Sequence, residues 1–189
     1  MEIEKTDLPG LLIVHPRIFR DERGYFYESY NEQKYKEAGI DTVFVQDNES
    51  RSVRGVVRGL HYQLRPHAQA KLVRVLEGTV FDVAVDIRKD SPTFGKWFGA
   101  ELSAENKKQL YIPEGFAHGF SVLSETAVLA YKCNELYHPE SERGIALDDP
   151  ELQIDWKISH EEFIVSDKDK KSPRFHDAEM NFIFAENQI

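Results

Sequence analysis

The chain has 189 residues, 41% of them hydrophobic and 30% charged, which is ordinary for one compact soluble domain. Its net charge of −9 argues against a general nucleic-acid binder, because phosphate backbones recruit basic surfaces. Its single cysteine, Cys133, excludes an intrachain disulfide, and neither a signal peptide nor an apolar run of roughly 20 residues is recognisable. These features predict a cytoplasmic protein that binds neither membranes nor nucleic acid.

In chain order, the predicted elements are mostly short β-strands. Turn signals such as Asp21–Gly24, Glu77–Gly78 and Pro113–Gly115 separate runs rich in Val, Ile, Phe, Tyr and Leu, a rhythm typical of an all-β sandwich or barrel. One helix is predicted to begin after Asn31 as N-cap and to end at Gly39.

The run from Lys71 to Arg88 gives the clearest strand pattern. Apolar side chains at the odd positions of Phe81–Ile87 alternate with mostly polar ones at the even positions of Asp82–Arg88. Gly78 interrupts the run, and we interpret it as the turn of a tight hairpin.

Two smaller helical signals follow the long β-rich region. Ser103 begins a segment that is compatible with a single turn. Ser159 is a plausible N-cap of a C-terminal helix, with Glu162 completing a capping box.

Three polar residues fall on faces that are otherwise apolar. By alternation, Lys71 lies with Val73 and Val75, His118 with Phe120, and Tyr131 with other inward residues. A misregistered strand or a hydrogen-bonded core residue explains any one of them, but three together favour a site inside the barrel.

The motif Arg58–Gln63 resists strict alternation. Arg58 and His61 fall on opposite faces, and a bulge at Gly59 is needed to bring both into one site.

Pro113–His118 has the Pro-x-Gly-x-x-His form of the second cupin motif, which implies a jelly-roll barrel. The first motif of a metal cupin carries two histidines and a glutamate, whereas this chain has His61 followed by Gln63, Gln69 and Lys71. Glutamine and lysine are poor metal ligands, so we expect no metal and no cofactor in the catalytic centre.

Ordered blocks covering most of the chain resemble the dTDP-4-dehydrorhamnose 3,5-epimerase family. They include DERGYFYESYN from Asp21, RGLHYQ from Arg58, IPEGFAHGF from Ile112, YKCNELYHPE from Tyr131 and SDKD from Ser166. The resemblance implies one cupin-type domain over residues 1–189, an all-β double-stranded β-helix or jelly roll with a few short peripheral helices. It also implies a homodimer that exchanges N-terminal strands from about 1–50, and a segment from about 150–189 packed on the barrel.

The resemblance also implies residue roles. His61 corresponds to the family's general base, Asp169 to its hydrogen-bonded partner, Tyr131 to the general acid and Lys71 to the group facing the ketone oxygen. Positions that match the family's substrate-binding residues are Arg23, Glu28, Gln46, Asp47, Asn48, Arg58, His118, Tyr137, Glu142 and Lys168. Tyr137 corresponds to the tyrosine that stacks on thymine, and Arg23 and Glu28 to residues that serve the neighbouring subunit.

The expected reaction is epimerisation at C3 and C5 of dTDP-4-dehydro-6-deoxy-D-glucose, giving dTDP-4-dehydro-L-rhamnose for dTDP-L-rhamnose biosynthesis. Removing a proton next to the C4 ketone forms an enolate, which a cation such as Lys71 stabilises. Three alternatives remain open at this point: a 3-epimerase of a related nucleotide sugar, a non-catalytic sugar-binding cupin, and a metal cupin, which the ligand set disfavours.

Overall fold

The fold, given by a computed structural model that describes residues 1–185, is built almost entirely of β-strands. This confirms the predicted all-β jelly roll with few helices. The strands are β1 (Glu2–Lys5), β2 (Leu12–His15), β3 (Phe19–Asp21), β4 (Gly24–Phe26), β5 (Gln46–Val53), β6 (Val57–Gln63), β7 (Lys71–Glu77), β8 (Thr79–Asp86), β9 (Trp97–Ser103), β10 (Gln109–Ile112), β11 (Phe116–Val122), β12 (Thr126–Cys133) and β13 (Glu142–Gly144).

Two antiparallel sheets form the barrel. The six-stranded sheet has the order β1-β2-β10-β7-β12-β5, and the five-stranded sheet has the order β13-β6-β11-β8-β9. Side chains from both sheets meet in a shared core that includes Val73, Val75, Phe120, Val122 and Leu129. These are the inward neighbours predicted from alternation, and burying them supplies much of the driving force for closing the barrel.

A second core lies on the outer face of the five-stranded sheet. Here Val83 and Val85 of β8 pack with Ile145, Trp156 and Phe175 from the chain that follows β13. Both faces of β8 are therefore buried. Its alternate side chains point into two different cores, and neither face of the strand is exposed to solvent. Residues 186–189, the end of the segment predicted to pack on the barrel, lie outside the described residues.

The predicted helix is confirmed as α1 (Glu32–Glu37). The Asn31 side chain caps it by accepting a hydrogen bond from the Lys34 N–H at 3.1 Å, and Gly39 follows its end with a φ of 93°. Tyr35 buries the inner face of α1 against the six-stranded sheet. Among residues 1–185, no helix combines the length and apolarity needed to cross a bilayer.

The hairpin predicted at Glu77–Gly78 is wrong. Gly78 does have a positive φ of 74°, but β7 and β8 belong to different sheets. The glycine makes a corner at which the chain passes from one sheet to the other. A corner and a hairpin need the same residue type, so the local pattern cannot separate them.

The C-terminal helix predicted from Ser159 is also wrong beyond its first turn. Ser159 caps a single 3₁₀ turn, His160–Glu162, and Ile164 then forms a bridge with Val56. Glu162 pairs with Arg54 instead of completing a capping box. The Ser103 segment forms a turn without a helix.

Candidate active site

A small cavity opens between the two sheets at one end of the barrel, with a volume of about 150 Å³. Five of the predicted site residues line it, namely Arg58, His61, Lys71, His118 and Tyr131. They come from β6, β7, β11 and β12, so four strands of two sheets converge on one space.

The predicted bulge in β6 is confirmed. His61 lies opposite His118 in the ladder and Arg58 lies opposite Phe120, so three residue steps on β6 match two on β11. Gly59 makes this possible with a φ of 129°, and a Cβ there would lie 2.6 Å from the Cα of Gly119. Arg58 and His61 therefore reach the same cavity.

His61 forms a short pair with Asp169. Their Nε2 and Oδ1 atoms are 2.6 Å apart, with the histidine side chain 30% exposed and the carboxylate 4% exposed. Burial raises the pKa of Asp169, but hydrogen bonds from His61 and Ser166 outweigh it and hold the pKa below its ordinary value. An ionised Asp169 accepts a hydrogen bond from the Nε2–H of His61, so Nδ1 is the ring nitrogen that is left to take up a proton.

Lys71 lines the cavity and is buried, with only 9% of its surface exposed. Burial lowers the pKa of its ammonium, although Asp82 and Glu142 act in the opposite direction. A lowered pKa makes the ammonium a stronger acid. Lys71 is therefore suited to donate a hydrogen bond to an oxygen that becomes negative during a reaction.

Tyr131 lies beside Lys71, whose Nζ is 5.7 Å from the centre of the tyrosine ring. Burial raises the pKa of the Tyr131 phenol, so the hydroxyl keeps its proton at neutral pH. It is on β12, in the sheet opposite to the one that carries His61. The His61 imidazole and the Tyr131 phenol thus approach the cavity from different sheets.

His118 makes a second histidine–carboxylate pair, with Asp82 of the neighbouring strand β8. Its Nε2 lies 2.9 and 3.0 Å from the two carboxylate oxygens, and both side chains are buried. Burial lowers the pKa of His118, against the attraction of Asp82. The sequence predicts His118 as a site residue but does not predict Asp82, although alternation places Asp82 on the polar face of its strand.

Beside β13 and β5, the structure joins several of the predicted binding residues. Glu142 Oε2 accepts hydrogen bonds from the hydroxyl of Tyr137 at 2.7 Å and from Nζ of Lys168 at 2.5 Å. Gln46 accepts a hydrogen bond from the backbone N–H of Tyr137 and donates one to Asn48. The Tyr137 ring stays 52% exposed, as a platform for a planar ligand requires.

Three predicted binding residues lie apart from both the cavity and this neighbouring group. Asp47 points to the outer face of β5 and pairs with Lys132, because it alternates with the inward Gln46 and Asn48. Arg23 is exposed at the β3–β4 turn, where it pairs with Asp21. The third is Glu28, which pairs with Lys34 of α1.

The arrangement is suited to moving protons on carbon. A histidine oriented by a buried carboxylate can act as base, a buried ammonium can stabilise an enolate oxygen, and a protonated tyrosine can act as acid. Because base and acid come from opposite sheets, a proton taken from one side of a flat intermediate can be replaced from the other.

Comparisons with known proteins give one consistent result. Residues 5–177 match the family model described as dTDP-4-dehydrorhamnose 3,5-epimerase. A curated protein of that name from Shigella flexneri is 56% identical over 180 residues, which cover 95% of this chain and 98% of that protein.

Two solved structures that resemble this chain are also 3,5-epimerases. The dTDP-6-deoxy-D-glucose-3,5-epimerase of Legionella pneumophila, in complex with dTDP-4-keto-L-rhamnose, superposes with a TM-score of 0.93 at 51% identity, over 97% of this chain and 99% of that one. The dTDP-4-dehydrorhamnose 3,5-epimerase of Elizabethkingia anophelis superposes with a TM-score of 0.90 at 57% identity, over 94% and 97% of the two chains.

Proposed function

The chain belongs to the family of dTDP-4-dehydrorhamnose 3,5-epimerases, and on that premise we propose how its own residues carry out the reaction. It is an isomerase of dTDP-rhamnose biosynthesis that inverts C3 and C5 of a dTDP-4-keto-6-deoxy sugar. The observation that carries the mechanism is the convergence of the His61–Asp169 pair, Lys71 and Tyr131 on one cavity.

In the first half of each inversion, Nδ1 of His61 takes the proton from C3 or C5. The electron pair of the broken C–H bond moves toward the C4 carbonyl and forms an enolate. Lys71 donates to the enolate oxygen, and Asp169 stabilises the imidazolium that forms. Burial supports this role of Lys71, because an ion in a dry site interacts more strongly with developing charge.

In the second half, Tyr131 gives its phenolic proton to the carbon from the opposite face. The new C–H bond restores the ketone with inverted configuration, and exchange with water returns both groups to their starting states. The raised pKa of Tyr131 supports this role, since the phenol is protonated before the step.

The nucleotide part of the substrate is assigned to the exposed residues beside the cavity. Tyr137 offers a flat face for the thymine base, and Arg58 and Lys168 offer positive charge for the diphosphate. Arg58 Nε donates to Ser52 Oγ at 3.1 Å, which orients the guanidinium.

We also propose that the enzyme is a homodimer. Strands β3 and β4 form a separate two-stranded sheet, and all six of their residues are exposed. An isolated hairpin is marginally stable in water, so a partner's surface is the natural support for this one. Arg23 lies at the tip of the hairpin, where it can reach a neighbour's site. The buried free thiol of Cys133 is compatible with a cytoplasmic location.

The mechanism is tested with Tyr131→Phe in deuterated water. His61 and Lys71 remain, so we expect an enolate that is reprotonated from its original side. The variant should exchange deuterium into the 4-keto sugar and yield little epimer, which proton NMR follows at C3 and C5 separately.

Double inversion at the wild-type rate in Tyr131→Phe would refute the acid assignment. Loss of both exchange and inversion in a folded protein would move Tyr131 into the enolate-forming step. The same spectra separate double epimerisation from the 3-epimerase alternative, because a 3-epimerase inverts C3 alone.

The dimer proposal is tested by co-expressing Arg23→Ala and His61→Asn chains. With random pairing, half of the dimers are mixed. If Arg23 serves its neighbour, each mixed dimer keeps one intact site of its two, so roughly a quarter of wild-type activity returns. If Arg23 serves its own chain, no intact site forms and activity stays at the level of the parents. The molar mass by light scattering gives the oligomeric state independently.

A further inference from the structure

A second group of ionisable side chains lies outside the catalytic cavity, where the loop after β6 meets the loop after β12. His67, Glu135 and His138 are each partly buried, and one potential ligand atom from each lies within 4.8 Å of the others. None of the three lines the cavity or takes part in the proposed reaction. Two imidazoles and one carboxylate are a frequent protein ligand set for zinc, with a fourth position open to water.

The two loops are held together by glutamine side chains. Gln63 Nε2 donates to the carbonyl oxygen of His67 at 2.6 Å, and Gln63 Oε1 accepts from the backbone N–H of His138 at 2.7 Å. Gln69 Nε2 donates to the carbonyl oxygen of Glu135 at 2.8 Å. The backbone of each potential ligand is therefore fixed before any ion arrives, which lowers the entropic cost of binding.

The imidazole of His138 is also oriented. Its Nδ1 lies 3.1 Å from Glu140 Oε1, while its Nε2 lies 3.9 Å from Glu135 Oε1. A carboxylate on one ring nitrogen with the other nitrogen free for the metal is the usual outer arrangement of a histidine ligand. With bonds near 2.1 Å, neighbouring ligand atoms of tetrahedral zinc lie about 3.4 Å apart, so atoms now within 4.8 Å of one another must approach by at most about 1.4 Å.

The His67 ring stacks on the His138 ring with centroids 3.5 Å apart and planes inclined by 15°. Parallel stacked rings direct their lone pairs side by side, so one ring must turn about its side-chain bonds for both to meet one ion. Both side chains are partly exposed, and this leaves room for the rotation.

We propose that His67, Glu135 and His138 form a peripheral zinc site, that Glu140 orients His138, and that the ion joins the two loops without entering the reaction. The site is separate from the metal-free catalytic centre expected from the sequence.

The test is calorimetric titration of chelator-treated protein with zinc. We expect one saturable zinc per chain in the wild type, and affinity weakened on the order of 100-fold in His138→Ala and in the nearly isosteric Glu135→Gln. Loss of the orienting carboxylate in Glu140→Gln should weaken affinity by about 10-fold. The control is His15→Ala, since His15 pairs with Glu4 alone at 2.7 Å and should leave zinc binding unchanged.

Thermal unfolding gives a second readout. Zinc should raise the melting temperature of the wild type but not that of Glu135→Gln, while the metal-free proteins should melt alike. Absence of saturable binding, or equal affinity in wild type and Glu135→Gln, would overturn the site. Loss of proton exchange on chelation, restored by zinc, would place the metal in the reaction and equally refute the proposal.

Discussion

The two histidine–carboxylate pairs of the barrel are made of the same residue types and differ in their surroundings. His61 and His118 are opposite each other on adjacent strands. His61 is 30% exposed and its partner Asp169 comes from a one-turn 3₁₀ helix late in the chain, whereas His118 is 7% exposed and Asp82 lies on the next strand. Both imidazoles line the cavity, but His61 is partly exposed there, whereas His118 and its partner are buried.

This difference in exposure supports His61, and not His118, as the proposed base. A base must exchange its proton with the ligand and then with water, which a partly exposed ring permits. A buried pair keeps a fixed geometry instead, and breaking it leaves a charge without a partner in the core. We therefore expect damage to His61 to appear in the reaction and damage to His118 to appear mainly in stability.

The largest expected effect is on the reaction of His61→Ala. Removing a positioned base should slow C3 and C5 proton exchange on the order of 10²-fold or more. Stability should fall less than in His118→Ala, because the Ser166 side chain and the Gly59 backbone still hydrogen-bond the Asp169 carboxylate. The measurements are deuterium exchange by NMR and urea unfolding, with binding of dTDP as the check that the site is intact. Near wild-type exchange would remove His61 from the role of base.

The next effect is on the stability of His118→Ala. This change leaves the Asp82 carboxylate buried without its partner and should lower the free energy of unfolding by about 3 kcal/mol. The turnover rate of the folded fraction should stay within about 10-fold of wild type, while KM rises because His118 lines the cavity. An exchange defect as large as that of His61→Ala, in a variant of wild-type stability, would erase the distinction between the two pairs.

The smallest effect concerns pH. The pKa of Asp169 is lower in the folded protein than the ordinary value near 3.9, so its ionised form stabilises the fold above roughly pH 4, and this contribution disappears as pH falls further. Urea unfolding of wild type and Asp169→Asn should therefore differ by about 1 kcal/mol at neutral pH and converge in acid. Asp167→Asn, at an exposed position two residues earlier, is the control and should show no such gap. A gap that widens in acid would contradict the assignment.

Alternation predicted the inward residues of the barrel because a strand's side chains must point to one sheet face or the other. Lys71, His118 and Tyr131 were found in this way. The same rule did not show that Gly78 turns a corner between sheets, since that depends on which distant strands pair. Ser159 shows the same limit, because the bridge of Ile164 to Val56 overrides a local helix signal.

Asp169, the partner of the proposed base, could not be predicted from any local pattern. Asp169 stands in a charged segment that is typical of a solvated loop, and it meets His61 across 108 positions of sequence. Only resemblance to a family pointed to it. Alternation placed Asp82 on the polar face of β8, and a polar face normally points to solvent. Only the second core on the outer face of β8 shows that this polar face points into the barrel.

The late position of Asp169 has a consequence for the nascent chain. Synthesis delivers β6 to β12 first, so His61, Lys71 and Tyr131 leave the ribosome while the residues that complete the outer core are still being added. The imidazole gains its carboxylate only when that outer layer closes over the sheet. On the proposed mechanism, a chain that still lacks this outer layer has no oriented base.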